Sequence, residues 1–112
     1  MATARWKDLC IDASRPEPVA RFWADALDLE ASAKDDGNWV LDGVRSERTV
    51  WINGVPEPKT VKNRVHMDIV TDDLDALVAH GARVLRAKGD GGIGLTVLAD
   101  PQGNEFCAIT PD

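Results

Sequence analysis

Residues 6–27 read WKDLCIDASRPEPVARFWADAL and residues 64–81 read RVHMDIVTDDLDALVAHG. Each stretch opens with alternating apolar and polar residues, a pattern typical of a half-buried β-strand. Each then carries a helix start signal, a capping side chain next to the first helical residues. The candidate caps are Ser14 or Asp12, followed by Pro16, in the first stretch and Thr71 or Asp72 in the second. The sequence therefore predicts a strand followed by a helix, twice in one chain.

Apolar residues recur at helical spacing in both predicted helices. The first set is Val19, Phe22, Trp23, Ala26 and Leu27, and the second, shorter set is Leu74, Leu77 and Val78. A single apolar stripe on each helix, with charged residues opposite, predicts that the helix packs against a sheet. Gly81 is suited to the position just after the second helix, where a left-handed conformation is common.

Three short strand candidates follow each predicted helix. They are residues 29–33, 38–41 and 48–52 in the first half, and residues 82–86, 94–98 and 105–109 in the second. Glycine and aspartate separate them, as tight turns require. The prediction is an α+β fold in a single domain, residues 1–112. Two βαβββ modules, about residues 4–53 and 64–110, are joined by a linker at 54–63 and form curled mixed sheets around a cavity, with the helices outside.

Composition excludes several classes of function. The 112 residues are 44% hydrophobic and 29% charged, with a net charge of −6, and the basic residues are scattered. This charge distribution argues against binding to nucleic acid or anionic membranes and favours a cationic ligand. No apolar run is long enough to span a bilayer, and the N-terminus lacks the apolar region of a secretion signal. We therefore expect a cytoplasmic protein, in which Cys10 and Cys107 remain thiols.

Four stretches, some of them within the segments quoted above, resemble a known family. They are residues 9–13 (LCIDA), 20–23 (ARFW), 55–68 (VPEPKTVKNRVHMD) and 98–107 (LADPQGNEFC). Together they resemble the glyoxalase-like domain proteins common in actinobacteria. These belong to the vicinal oxygen chelate (glyoxalase/bleomycin resistance/dioxygenase) superfamily. The resemblance implies paired βαβββ modules, a homodimer and, in many members, a bound divalent metal. It does not fix a reaction, because this fold serves isomerases, dioxygenases, epimerases and drug-binding proteins.

Strand alternation selects the candidate catalytic residues. If Val65, Met67 and Ile69 pack against the second helix, His66 and Asp68 point into the cavity. If Phe106 also lies under that helix, Glu105 points into the cavity and becomes a neighbour of His66. We therefore predict that His66, Glu105 and Asp68 are catalytic.

The resemblance implies that His66 and Glu105 are metal ligands, and alignment of the first strands of the two modules adds Asp8 as a third. An ungapped register of the modules gives Glu47 as a fourth candidate, in the turn before a strand. This donor set suits Zn²⁺, Mn²⁺, Fe²⁺ or Ni²⁺. The alternative is a cavity without a metal, in which His66 and Glu105 form an acid–base pair.

The predicted substrate-binding residues are Asp8, Cys10, Trp39, Trp51 and Cys107. The two tryptophans either line the cavity or pack in the core. The glycine-rich loop at residues 88–94 precedes a strand rather than a helix. It therefore does not match a phosphate-binding loop, and we interpret it as a hairpin turn or a lid.

Two functions remain open from the sequence. The first is an enzyme of the lyase, isomerase or dioxygenase type, acting on a small oxygenated molecule. The second is a protein that binds or sequesters a small organic molecule without a metal, as in antibiotic resistance. The inward His66 and Glu105 favour the enzyme, whereas the weak ligands of the first module favour the binding protein.

Overall fold

A computed structural model of the chain describes Thr3, residues 6–43 and residues 49–111. The chain divides into two compact units, Met1–Glu57 and Pro58–Asp112. Unit 1 contains β1 (Leu9–Ala13), α1 (Pro16–Leu27), β2 (Glu30–Ala33), β3 (Trp39–Asp42) and β4 (Val50–Gly54). Unit 2 contains β5 (Asp68–Val70), α2 (Leu74–Ala79), β6 (Arg83–Arg86), β7 (Thr96–Ala99) and β8 (Glu105–Ile109), with a short 3₁₀ turn at Asp90–Gly92. Each unit is a βαβββ module, so the predicted α+β fold is confirmed.

Each unit holds an open four-stranded mixed sheet. The strand order is β1-β4-β3-β2 in unit 1 and β5-β8-β7-β6 in unit 2. The first strand of each unit runs parallel to the last, and the other neighbours are antiparallel. The parallel pairing follows from the helix that connects β1 and β5 to the rest of their units, because two strands joined by a hairpin would run antiparallel.

The core of unit 1 lies between α1 and its sheet. Phe22 and Trp23 are each 1% exposed, with ring centroids 5.0 Å apart in an edge-to-face arrangement. The helix contacts β3 and β4, where Leu41 and Ile52 are fully buried. The predicted apolar stripe of the helix is therefore the face that packs on the sheet.

The predicted caps of α1 were wrong. The residue before the helix is Arg15, and its side chain makes no capping hydrogen bond. Pro16 starts the helix instead, because proline has no N–H to satisfy and its fixed φ already suits a first turn. At the other end, Asp28 adopts a left-handed conformation (φ 55°), and the N–H of Leu29 donates to the carbonyl of Ala24 at 2.9 Å.

The second helix is short, and its cap is one residue later than predicted. The carboxylate of Asp73 accepts a hydrogen bond from the N–H of Ala76 at 3.0 Å. Thr71 lies in the preceding turn, where its hydroxyl accepts from the N–H of Asp73 at 3.0 Å. The predicted caps Thr71 and Asp72 are therefore corrected to Asp73. Gly81 follows the helix with φ 122°, as predicted.

The first strand of unit 2 is shorter than the alternating pattern predicted. It covers Asp68–Val70, and Val65 is 79% exposed, so the predicted packing of Val65 against the helix was wrong. The carbonyl of Met67 accepts from the N–H of Cys107 at 2.9 Å, which is where pairing with β8 begins. Two residues before Met67 contact acidic side chains of unit 2: Asn63 contacts Glu105, and His66 contacts Asp68.

None of the described helices has the length and apolarity needed to cross a membrane.

Candidate functional site

Strand pairing gives the sheet of unit 2 two chemically different faces. Directly paired residues share a face, and successive residues along a strand alternate between faces. Asp68 pairs with Cys107, and Glu105 lies two residues before Cys107 on the same strand. We call the face that carries these three residues the site face of unit 2. The opposite face carries Leu98, Phe106 and Ala108, each at most 1% exposed. As predicted, Glu105 and Phe106 lie on opposite faces of β8.

Three potential metal ligands meet at β5 and β8. The ligand atoms of His66, Asp68 and Cys107 all lie within 4.8 Å of one another. The Nε2 atom of His66 is 3.8 Å from the Oδ1 atom of Asp68. The histidine and the aspartate are exposed, whereas the cysteine is buried. The group therefore has a thiol at its base and two side chains that an incoming molecule can reach.

The thiol of Cys107 is held in its protonated form. Burial raises the pKa of Cys107, and the negative charge of Asp68 together with its hydrogen bond to the thiol raises it further. The positive charge of Lys62 opposes this shift without overcoming it. A thiolate ligand would therefore form only when a cation displaces the proton.

Glu105 lies in a separate ion-pair cluster on the site face. The Nζ atom of Lys59 is 2.5 Å from Oε1 and 3.2 Å from Oε2, and the backbone N–H of Asn63 donates to both oxygens at 3.2 Å. Burial alone would raise the pKa of Glu105. The hydrogen bonds from Lys59 and Asn63, with the charges of Lys59 and Lys62, outweigh burial, so the pKa lies below its usual value.

The structure thus joins the predicted site residues in a different combination. His66 lies with Asp68 and Cys107, while the carboxylate of Glu105 is occupied by Lys59 and Asn63. Lys59 was missed by sequence reasoning because it belongs to the predicted linker, 46 residues before its partner. The signal available in the sequence was Glu105 itself, because a carboxylate that becomes buried in a sheet requires a partner of opposite charge.

The candidate residues of unit 1 divide between two faces of their sheet. Cys10 and Trp51 are directly paired and lie on the face opposite α1. Trp39 pairs with the fully buried Ile52 on the helix-packed face, and the guanidinium of Arg21 in α1 lies 5.4 Å from its ring centroid. Only Trp51 of these two tryptophans therefore lies on the face that α1 leaves uncovered.

Asp8, the predicted third metal ligand, comes directly before β1. Its carboxylate is 2.6 Å from the Nζ atom of Lys7, and its side chain is 17% exposed. Glu47, the predicted fourth candidate, lies outside the described residues.

Three solved structures of low sequence identity share this fold. A glyoxalase/bleomycin resistance protein/dioxygenase family enzyme from Burkholderia phytofirmans PsJN is 16% identical with a TM-score of 0.70, over 96% of this chain and 98% of that one. A bleomycin-binding protein from Streptomyces verticillus, solved with copper(II)-bleomycin, is 16% identical with a TM-score of 0.58, over 100% of both chains. An antibiotic binding protein from Streptomyces sp. CB03234 is 19% identical with a TM-score of 0.61, over 100% of this chain and 99% of that one.

Sequence comparison identifies the family. No curated protein matches the chain significantly. Residues 8–109, which include every element from β1 to β8, match the glyoxalase-like domain. The duplicated βαβββ topology agrees with that match, and the chain therefore belongs to the glyoxalase-like domain family.

Proposed function

We propose that this protein is a small-molecule enzyme of the lyase, isomerase or dioxygenase type that works with a divalent metal ion held by His66, Asp68 and Cys107. The observation that carries the proposal is the convergence of an imidazole, a carboxylate and a thiol within 4.8 Å on one face of unit 2. A bound ion would act as a Lewis acid towards an oxygen atom of the substrate.

The donor set fits a borderline metal ion. Zinc accepts nitrogen, oxygen and sulfur ligands at about 2.0–2.3 Å, so ligand atoms within 4.8 Å of one another need only small side-chain rotations to share an ion. Three protein ligands also leave a coordination position open, as catalytic sites require. Among the predicted ions, a thiolate ligand favours Zn²⁺ or Fe²⁺ over Mn²⁺, which prefers oxygen.

Asp68 has a second role in this proposal. Its carboxylate is hydrogen-bonded to the thiol of Cys107, and its own side chain is 57% exposed. It is therefore placed to accept the thiol proton when Cys107 becomes a ligand, and to pass that proton to solvent. Glu105 does not join the ligand set here, because Lys59 and Asn63 hold its carboxylate.

Calorimetric titration of metal-free protein with Zn²⁺, checked by elemental analysis, tests the proposal. We expect one ion per chain, and loss of binding in both His66→Ala and Cys107→Ser. The chain has two histidines and two cysteines, so His80→Ala and Cys10→Ser are matched controls that should bind as wild type does. Affinity should rise with pH, because the raised pKa of Cys107 makes binding release a proton. Equal binding by the His66 and His80 variants would refute the site.

A second candidate function rests on Trp51. It is half-buried beside Cys10 on the uncovered face of unit 1, an arrangement suited to stacking against a planar organic ligand. In this second candidate function the protein binds a small molecule without a metal of its own; two structural neighbours are named as an antibiotic binding protein and a bleomycin-binding protein. Ligand-dependent fluorescence of metal-free protein that disappears in Trp51→Phe, but persists in Trp6→Phe, would favour it.

We further propose that the protein is a homodimer, as the family resemblance implies, and that it is cytoplasmic, as the composition and N-terminal residues lead us to expect. Sedimentation equilibrium measures the mass directly. A mass of a single 12.2 kDa chain at micromolar concentration would contradict the dimer.

A further inference from the structure

An irregularity in β6 changes which side chains reach the site face. Arg83 pairs with Ala99 and Val84 with Leu98, but Arg86, and not Leu85, pairs with Val97. One extra residue is therefore inserted in β6, a β-bulge. Without it, Arg86 would alternate onto the face of Leu98. With it, Arg86 shares the face of its partner Val97.

That face is the site face of unit 2. Val97 pairs with Cys107, and Cys107 pairs with Asp68, so Arg86 lies in the same row as two of the metal-binding candidates. Two strand spacings of about 4.8 Å separate the Cys107 and Arg86 backbones in this row. The neighbouring row places Arg83 in line with Ala99 and Glu105.

The glycine-rich loop provides the surface against which the Arg86 side chain rests. A Cβ atom built on Gly91 would lie 2.5 Å from an Nη atom of Arg86, closer than van der Waals contact allows. Gly91 has φ 62°, in the left-handed region. The nearby Gly89 and Gly92 differ, because a Cβ atom on either of them would meet nothing within 4 Å. The missing side chain at Gly91 is thus what leaves room for the guanidinium.

The charge of this face differs from that of the whole chain. In these two rows Glu105 is neutralised by Lys59 and Asp68 is the other carboxylate, while β6 contributes the two guanidinium groups of Arg83 and Arg86. Among the described residues, the side chain of Arg86 makes no hydrogen bond or ion pair with another protein group. A net charge of −6 favours a cationic ligand, but the local arrangement favours an anionic one.

We propose that Arg86, backed by Gly91, binds the oxyanion group of an anionic ligand that lies across the site face of unit 2. A guanidinium presents paired N–H donors that match a carboxylate or a phosphate. This proposal rests on the proposed function in one respect. Oxygen atoms at the other end of the ligand would face His66, Asp68 and Cys107. The substrate class is therefore a small carboxylate or phosphate ester with a second oxygenated group.

Nuclear magnetic resonance of ¹⁵N-labelled, metal-free protein tests Arg86 without depending on the metal. Sodium phosphate and sodium acetate are titrated separately, with sodium chloride at the same ionic strength as the reference. We expect saturable shifts of the amides of residues 86–92 with at least one oxyanion. The oxyanion that saturates at lower concentration identifies the ligand as a phosphate or a carboxylate.

Two pairs of variants separate this site from general charge effects. Arg86→Gln should weaken binding about tenfold or more, since it removes a charge-assisted pair of hydrogen bonds. Arg21→Gln, which removes the same charge from α1, should leave the affinity unchanged. Gly91→Ala should weaken binding by displacing the guanidinium. Gly89→Ala, with φ 91° and an open Cβ position, imposes comparable backbone strain and should bind as wild type does.

Several results would overturn the proposal: shifts no larger than those with chloride, wild-type affinity in Arg86→Gln, or saturable shifts centred on residues 59–64. The Zn²⁺ affinity of Arg86→Gln should equal that of wild type. A protein that binds phosphate but no Zn²⁺ would therefore contradict the proposed function and support the role of Arg86. A protein that binds Zn²⁺ but neither oxyanion would support the proposed function and contradict the role of Arg86.

Discussion

Glu105 illustrates how much of a side chain's role depends on residues far away in the sequence. Alternation along β8 correctly predicts its face, because Phe106 and Ala108 are buried on the other side. Alternation cannot show that Lys59 reaches the same carboxylate from the linker. That contact leaves Glu105 only 10% exposed and occupied by hydrogen bonds. Alternation therefore predicts the face of Glu105 correctly. The predicted pairing of His66 with Glu105 stays a prediction.

We expect Glu105→Gln to lower the free energy of unfolding by about 2 kcal/mol at pH 7, because hydrogen bonds to a charged group are lost from a mostly buried site. The folded-state pKa of Glu105 is lowered, so its contribution is present above the unfolded pKa of about 4.3 and disappears as pH falls through the folded value. Urea unfolding of wild type and variant from pH 7 to pH 3 measures both effects, and the two stabilities should converge at acid pH.

Glu17→Gln is the matched control for that change. Glu17 also pairs with a basic residue, Arg21 at 3.0 Å, but both side chains are more than half exposed. Exposed pairs of this kind contribute about 0.5 kcal/mol or less. Equal losses of stability in the two glutamine variants would contradict a stabilising role for the buried charge of Glu105. So would a deficit of the Glu105 variant that persists at pH 3.

Among the elements, those with complete local signals were predicted well. The predicted strand at 105–109 has the bounds of β8, and α1 starts at Pro16 and ends at Leu27 as the proline and the apolar stripe indicate. The bulge in β6 was not predictable. Strict alternation would place Arg83 and Arg86 on opposite faces, and no residue type in RVLR marks an insertion. The bulge is determined by how β6 pairs with β7, and the residues of β6 alone do not show that pairing.

The start of α2 could not be located from the sequence because three residues in a row, Thr71, Asp72 and Asp73, are all capable caps. Backbone geometry selects Asp73, whose φ of −140° and ψ of 78° lie outside the helix while its carboxylate reaches the N–H of Ala76. We expect Asp73→Ala to reduce stability by about 1 kcal/mol. Asp72→Ala should change it by less than about 0.5 kcal/mol. Thermal or urea unfolding of the two variants in parallel compares the neighbours, and a larger loss for Asp72 would restore the original prediction.

Across the whole molecule, the two units repeat one topology with unequal helices. The 12-residue α1 buries five residues, including Phe22 and Trp23, whereas the six-residue α2 buries Leu77 alone. A helix of six residues is too short to be stable without tertiary contacts. The duplication visible in the sequence therefore produces two sheets of equal strand number but helices that contribute differently to their cores. The proposed metal ligands His66 and Cys107 and the proposed anion-binding residue Arg86 lie in the unit with the smaller helix.

We therefore expect local opening to be easier at α2 than at α1. Amide hydrogen exchange followed by mass spectrometry should show faster exchange in the peptide covering 74–81 than in the peptide covering 16–27, because few buried apolar contacts oppose the opening of α2. Asp73→Ala should accelerate exchange in the α2 peptide further and leave the α1 peptide unchanged, since the cap acts only on its own helix. Trp23→Ala, which removes a large side chain from the other core, should accelerate exchange at α1. If both peptides exchange at one rate in wild type, and respond together to either variant, the two helices open in a single cooperative event.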